Sequence, residues 1–344
     1  MEKYRVGIVG ATGMVGQRFI SLLKDHPWFE VNCVAASARS AGKTYREAVG
    51  ERWAFSWEIP EKVAGMTVVD AADIDEVSKH VDFVFCAVDM KKDEIRALEE
   101  AYAKHEIPVV SNNSACRGIE DVPMVVPEIN ADHLAVIEAQ KKRLGTKSGF
   151  IAVKPNCSIQ SYVPALTPLL DFEPEKVSVC TYQAISGAGK TFKTWPEMVD
   201  NVIPYIGGEE EKSENEPLKL WGHVEDGKIV NAALPVISAQ CLRVACSDGH
   251  MAAVSVSFKK KPTIEQIKER WANYETEAQR LELPSAPKPF LQYFEDPSRP
   301  QTRLDRDFQN GFGVSIGRLR EDKLFDYRFV CLSHNTVRGA AGGS

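Results

Sequence analysis

Two separated blocks of this chain offer a thiol and an imidazole in suggestive company. Cys157 lies in Lys154-Pro155-Asn156-Cys157-Ser158, directly after the apolar run 149–153. His250 closes the block Arg243-Val-Ala-Cys-Ser-Asp-Gly-His250. A thiolate is both a strong nucleophile and a fair leaving group, so it suits an acyl intermediate that must form and then break. A neutral imidazole can take the thiol proton and handle a proton at the tetrahedral stage. Arg243 offers a planar fork for a carboxylate. The plain alternatives are a structural histidine and an ordinary salt-bridged arginine. An aldehyde captured by a thiolate becomes an alkoxide, which can release hydride to a nicotinamide and leave a thioester. Phosphate can then collect the acyl group. These residue types point to covalent thioester redox chemistry.

Such chemistry needs a dinucleotide, and the chain opens with a loop for one. Gly10, Thr12, Gly13, Met14, Val15 and Gly16 fall in Gly-Ala-Thr-Gly-Met-Val-Gly, after an apolar stretch at 4–10. Val15, Phe19, Leu22 and Leu23 follow at helical spacing. Glycines there permit a tight turn and close approach of a pyrophosphate to a helix N-terminus. The spacing is GxxGxxG, not the commoner GxGxxG, and a tight turn without ligand is the alternative. A second strand is expected at 31–36. It ends in Ser37-Ala-Arg39-Ser40, where an NAD site usually carries a carboxylate. Arg39 can pair with a 2′-phosphate and Ser37 and Ser40 can hydrogen-bond to it, which favours NADP.

The remaining pattern supplies a frame for these groups. Short apolar strands are expected at 66–69, 81–88 and 109–111, with a charged helix from about Lys91 to His105. Polar residues at strand ends, such as Asn112 and Asn113, are well placed for ligands or simply form a turn. If a helix begins at Cys157, its free N–H groups would favour a thiolate, although Pro164 and Pro168 oppose that helix. From about residue 150 the strands alternate more clearly, at 178–183, 252–258, 312–317 and 327–332. The stretch 187–223 is long for a plain connection and fits a substrate loop or subunit contact.

Size and composition exclude several other functions. The 344 residues favour two domains, and 44% hydrophobic content supports real cores. A net charge of −6 repels nucleic acid and anionic membranes in bulk. No apolar segment reaches spanning length and no secretory signal is legible, so a cytoplasmic protein is expected. Eight scattered cysteines without a CxxC pair exclude a dense disulfide framework and a zinc site, so no metal is expected.

Taken in order, five blocks resemble the aspartate-semialdehyde dehydrogenase family, in the form typical of archaea and fungi. They are the glycine loop, Ser111-Asn-Asn-Ser-Ala-Cys-Arg117, Pro155-Asn-Cys-Ser158, Ser186-Gly-Ala-Gly189 and the Arg243–His250 block. The resemblance covers essentially the whole chain. It implies an α/β protein with a Rossmann-type NADP-binding domain (1–155 with 335–344) and a second α/β domain with a mixed sheet (156–334). It also implies a homodimer or homotetramer, a small-molecule substrate and inorganic phosphate. By resemblance Cys157 is the nucleophile and His250 the acid/base. Arg243 holds the substrate carboxylate, and Glu209 its amino group, with the register among Glu209, Glu210 and Glu211 open. Lys212, Arg117 and Asn112 bind phosphate, while Gln183 and Asn156 support the thioester and carbonyl. Ser186, Gly187, Gly189, Asn335 and Thr336 line the nicotinamide end. The implied reaction is reversible, phosphate-dependent oxidation of aspartate semialdehyde to aspartyl phosphate. Its biosynthetic direction is reduction, toward lysine, threonine and methionine. Rival readings are a malonyl-CoA reductase, an N-acetyl-glutamyl-phosphate reductase and a non-catalytic nucleotide sensor. The 209–212 block favours an amino-acid substrate over the first two.

Overall fold

The first 153 residues place a nucleotide loop and a thiol loop at the same edge of one sheet. The structure, a computed structural model, describes residues 2–344. The elements are β1 (Tyr4–Val9), α1 (Met14–Leu23), β2 (Phe29–Ala36), β3 (Val69–Asp70), β4 (Phe83–Cys86), α2 (Lys92–Lys104), β5 (Val109–Ser111), α3 (Ile137–Leu144) and β6 (Ile151–Val153). The strands run parallel in the order β3-β2-β1-β4-β5-β6. Helices cover both faces, which explains the continuous apolar runs of β1, β4 and β6. α1 buries Phe19, Ile20 and Leu23, and Gln17 with them. Strand order reverses between β1 and β4, so a crevice opens at the carboxyl ends. The strand expected at 66–69 is displaced: only Val69 and Asp70 reach β2, opposite Ala35 and Ala36.

A second sheet follows. It is built from β7 (Pro174–Gln183), β8 (Val202–Ile203), β11 (Val236–Val244), β12 (His250–Phe258), β13 (Leu291–Phe294), β14 (Val314–Glu321) and β15 (Tyr327–Ser333). Its order is β13-β14-β15-β12-β7-β11-β8 and it is mixed, with β7 parallel to β11 and antiparallel to β12. Strict alternation of buried and partly buried residues along β12 seats one face on the core. α4 (Glu209–Leu220) lies against β11, and α5 (Ile264–Ala272) packs Trp271 into the core. A hairpin of β9 (His223–Glu225) and β10 (Lys228–Val230) stands apart from both sheets.

No helix begins at Cys157. Residues 157–162 form successive tight turns, and only the short helix Val163–Leu166 follows. Pro164 and Pro168 lack the N–H groups that a longer helix needs. The thiol is therefore not held at a helix N-terminus.

After β15 the chain returns to the first sheet, where Val337–Ala341 packs against α1. Arg338 anchors this return with a bidentate pair to Glu128, Nη1 to Oε1 at 2.9 Å and Nη2 to Oε2 at 2.5 Å. Its guanidinium also lies 4.6 Å from the Phe290 ring centroid. Both charged side chains are almost fully buried, 4% and 3% exposed. Arg338→Met would strand the Glu128 carboxylate, so unfolding in urea should show a loss of about 3–5 kcal/mol. Removing both charges, as Arg338→Met with Glu128→Met, should recover most of it.

Candidate active site

Four neighbouring strands of the second sheet end in one polar row. Ser333 of β15 is opposite His250, the first residue of β12. Gln183 ends β7 and is paired in register with Arg243 of β11. Above this row passes the loop that leaves β6. Cys157 is half-buried there, with Sγ 3.4 Å from His250 Nε2. The opposite ring nitrogen, Nδ1, accepts the Ala184 backbone N–H at 3.1 Å. A neutral imidazole so placed carries its proton on Nε2, facing the sulfur. Burial, then Arg243, pulls the His250 pKa down to about 3, against a weaker opposing effect of the Gly249 carbonyl. His250 is thus neutral and presents a donor. Burial pushes the Cys157 thiol up and Glu209 adds to this, while Lys154, Arg117 and Arg243 pull it down.

Arg243 is buried, and its Nη1 donates to the Ala184 carbonyl at 2.7 Å. It makes no ion pair among the described residues. Gly187 sits across from it: a Cβ there would lie 2.8 Å from Arg243 Nη1 and 2.9 Å from His250 Nε2. Only glycine leaves both groups open to a ligand.

The cysteine loop is gripped by α4. Glu209, Lys212, Ser213 and Glu216 fall at i, i+3, i+4 and i+7, one face of the helix. Glu209 accepts from Asn156 Nδ2 (2.9 and 3.0 Å), Lys212 Nζ (2.8 Å) and Gln183 Nε2 (3.3 Å). Burial raises its carboxyl, but these donors outweigh that and hold the pKa below the usual range. Glu210 instead accepts the Cys241 N–H and Glu211 is exposed, so Glu209 is the glutamate that reaches this site. Ser213 meets Ser158 at 3.3 Å. Glu216 accepts the Asn156 backbone N–H at 2.5 Å and Arg117 Nη1 at 2.9 Å. Arg117 Nη2 reaches the Asn112 carbonyl at 3.0 Å, and the buried Arg117 Nε and Asn112 Oδ1 have no partner. These unmatched buried groups fit an oxyanion with both acceptor and donor character. Arg117, Asn112 and Lys212 therefore flank the same loop, although Lys212 is already paired to Glu209.

The glycine loop fits a dinucleotide. Gly10 has φ +91° and its Cβ would strike the Ala87 carbonyl oxygen at 2.2 Å. A Cβ on Gly16 would meet the Gly10 oxygen at 2.3 Å, whereas one on Gly13 would meet nothing nearer than 3.6 Å. Gly13 caps α1 without a side-chain hydrogen bond and no acidic residue occupies the first turn. The loop carrying Thr12, Met14 and Val15 thus leaves backbone N–H groups for a pyrophosphate. Ser37 and Arg39 are exposed on the turn after β2, and Ser40 is buried. Asp70 ends the adjacent β3, a neighbour invisible in sequence, and its Oδ1 accepts the Ala72 N–H at 3.0 Å. At the other end Ser186 Oγ accepts from Asn335 Nδ2 (2.8 Å), and Asn335 Oδ1 accepts the Gly249 N–H (2.7 Å). Asn335 is consumed in joining two loops beside His250. Thr336 turns back onto His334, and Gly189, at φ +66°, faces open space.

Three residues escaped the sequence reading. Glu216 was hidden in a polar helix, though the 209/212/213/216 stripe could have marked it. Gly339 lies so close to the thiol loop that a Cβ would come 2.8 Å from Cys157 Cβ, a contact no spacing reveals. Lys154 was seen only as part of the cysteine motif. Among the described residues no cluster of potential metal ligands occurs, and the eight cysteines are unpaired.

A Rossmann-type sheet whose last strand leads to a cysteine, set against a histidine on a second, mixed sheet, defines a dinucleotide-linked dehydrogenase with a thiol at its centre. Residues 5–137 match the NAD binding domain of semialdehyde dehydrogenases, and residues 166–338 match their dimerisation domain. The aspartate-semialdehyde dehydrogenase of Archaeoglobus fulgidus is 44% identical over 99% of this chain and 96% of its own. That of Schizosaccharomyces pombe is 45% identical over 98% of this chain and 95% of its own. The Candida albicans enzyme, solved with NADP, superposes with a TM-score of 0.88 at 38% identity, covering 99% of this chain and 96% of that one. The chain belongs to the aspartate-semialdehyde dehydrogenase family.

Glu216→Gln would replace an acceptor with an amide that faces two donors. A charged hydrogen bond is worth about 1.5–3 kcal/mol, so kcat/KM should fall roughly tenfold to a hundredfold. NADP binding, measured by fluorescence titration, should be unchanged.

Proposed function

We propose that this protein catalyses the reversible, phosphate-dependent conversion of L-aspartate 4-semialdehyde to 4-aspartyl phosphate with NADP. The observation that carries this reading is the meeting of Cys157, His250 Nε2 and the unpaired Arg243 guanidinium around Gly187. Arg243 would hold the substrate carboxylate in a bidentate grip. Glu209, with Gln183 and Asn156 beside it, would receive the ammonium. That places the aldehyde carbon over Cys157 Sγ. Attack gives a hemithioacetal whose oxyanion takes the His250 Nε2 proton in a hydrogen bond. Bound NADP supplies a hydride acceptor in this direction and a donor in the other. The thioester left on Cys157 is then attacked by phosphate, held by Arg117, Lys212 and Asn112.

The dinucleotide would lie on Gly10, Thr12, Gly13, Met14 and Val15, with its 2′-phosphate at Ser37, Arg39 and Ser40 and its nicotinamide near Ser186, Gly187 and Gly189. Asn335 and Thr336 would support that end indirectly. We take residues 1–155 with 335–344 as the nucleotide unit and 156–334 as the catalytic and dimerisation unit. Val199, Val202, Tyr205 and Val236 are each more than half exposed at and beside the β8–β11 edge, which favours a homodimer or homotetramer. Among the described residues no helix is long and apolar enough to cross a membrane.

The test is a substrate panel with NADP: aspartate semialdehyde with phosphate, N-acetyl-glutamate semialdehyde with phosphate, and malonyl-CoA in reduction. Aspartate semialdehyde should give the highest kcat/KM, and arsenate should substitute for phosphate. Preference for either competitor defeats the reading. Cys157→Ser should lower turnover by about 10⁴-fold or more. Arg39→Ala should weaken use of NADP by about tenfold or more while sparing NAD.

A further inference from the structure

Two fully buried side chains grip the glycine loop from behind, and none of the roles above employs them. Tyr45 is 0% exposed and Gln17 is 2% exposed. The Tyr45 hydroxyl donates to the Ala11 carbonyl at 2.8 Å. Burial pushes this phenol up, against a weaker opposing effect of Arg52, so the hydroxyl keeps its proton and stays a donor. Gln17 Nε2 donates to the Thr12 and Arg52 carbonyls, both at 3.0 Å. Its Oε1 accepts the Ala54 N–H at 2.8 Å. Both N–H bonds and the oxygen of this amide are thus used, as burial demands. The two anchors come from different elements. Gln17 lies in α1, and Tyr45 opens the short helix Tyr45–Val49, which starts at a Thr44–Glu47 capping box. The Tyr45 N–H is itself tied to the Met66 carbonyl at 2.7 Å.

All four carbonyls from Gly10 to Gly13 are spent inside the protein. Backbone groups hold two of them: the Gly13 N–H donates to the Gly10 oxygen at 3.2 Å, and the Gln17 N–H to the Gly13 oxygen at 2.9 Å. The other two fall to Tyr45 and Gln17. The Gly10 and Ala11 N–H groups both go to the Ala35 carbonyl, at 2.9 and 3.0 Å. The N–H groups of Thr12, Met14 and Val15 have no acceptor among the described residues. A planar trans peptide unit points its N–H and its C=O in opposite directions. Holding the Ala11 carbonyl inward therefore turns the Thr12 N–H outward. A Thr12 carbonyl left free, next to the cap residue, could swing toward a bound anion and repel it.

We propose that Tyr45 and Gln17 are positioning residues for the dinucleotide: they hold the Ala11 and Thr12 carbonyls inward, so that the loop meets the pyrophosphate with N–H groups alone. The inference rests on the pyrophosphate lying on this loop. Neither side chain touches the ligand, and each acts through the peptide unit it holds. The loss on removing either should therefore be confined to ligands that carry a pyrophosphate. Tyr45→Phe deletes one oxygen and leaves the ring in the core. Gln17→Met keeps the length of the side chain and deletes three hydrogen bonds. Gln17→Glu keeps an acceptor for Ala54 but sets carboxylate oxygen against the Thr12 and Arg52 carbonyls.

The experiment measures binding of NADPH to the full chain by its fluorescence, and binding of adenosine 2′-monophosphate by displacement of that signal. The second ligand has the adenosine and the 2′-phosphate but no pyrophosphate. Tyr45→Phe should weaken NADPH about threefold to tenfold, and Gln17→Met and Gln17→Glu by about tenfold or more. Adenosine 2′-monophosphate should stay within about twofold of its affinity for the unaltered protein. Equal losses for the two ligands would mean that the side chains only hold up the domain, and would overturn the proposal. So would unchanged NADPH binding in a variant that melts cooperatively. If the Gln17 variants do not fold, Tyr45→Phe decides alone by the same comparison. Gly13→Asp separates the proposal from the placement it rests on. Gly13 has room for a Cβ, with nothing nearer than 3.6 Å, and an aspartate at the cap would take the helix N–H groups for itself. NADPH binding weakened by Gly13→Asp but not by Tyr45→Phe sinks the anchors alone. NADPH binding indifferent to Gly13→Asp sinks the placement, and the anchors with it.

Discussion

The 3.4 Å contact between Cys157 Sγ and His250 Nε2 joins two sheets that share no strand. The sulfur hangs from a loop after β6, at the edge of the parallel sheet. The imidazole begins β12, inside the mixed one. Chemistry at this contact tolerates little displacement, so both loops must be held from several sides. α4 supplies one side through Glu209, Ser213 and Glu216, which bind the side chain, the following residue and the backbone of the cysteine loop. The return segment supplies another. Asn335 ties the 186 loop to Gly249, Gly339 packs on Cys157, and Arg338 locks the segment to Glu128. Apart from the Ser213 hydroxyl and the Gly339 packing contact, these anchors use charged or amide groups with little exposure, so their partners are fixed by the cost of leaving them unmade.

The fold is legible in the sequence where local chemistry determines local structure. Gly10 and Gly16 have to be glycine because backbone carbonyls lie within clash distance, and the same constraint makes the loop conspicuous in sequence. The alternating and continuous apolar runs marked the main strands because burial on one face or two leaves a period. The resemblance then drew together residues that the fold also draws together: Arg243 beside Gln183, and Asn156 against Glu209.

What stayed illegible depends on contacts between distant segments. Gly339 and Cys157 are 182 positions apart, and nothing in either neighbourhood announces the other. Asp70 approaches the turn after β2 only because β3 pairs with β2. The helix at Cys157 was a choice between an apolar pattern and two prolines, and the missing N–H groups prevailed. The choice among three consecutive glutamates could be made only once the orientation of α4 was known. The tautomer of His250 likewise depends on Ala184, which reaches it from another strand end.

Charge around the thiol is compensated in pairs, with one exception. Lys212 answers Glu209 and Arg117 answers Glu216, each within 3 Å. His250 and Lys154 shed charge through burial. Arg243 cannot do so, because a guanidinium stays protonated even where burial lowers its pKa. A carbonyl is its one acceptor, and a carbonyl offsets only part of the cost of burying a full charge. A substrate carboxylate would supply the missing anion, and the gain would be large because water is already excluded. A ligand without that carboxylate would leave the guanidinium as it stands and gain little. Arg243 would therefore select for an acid. Selection for an amino acid requires Glu209 as well, whose carboxylate stays ionised in the same pocket and would attract an ammonium but not the methylene of an unsubstituted acid.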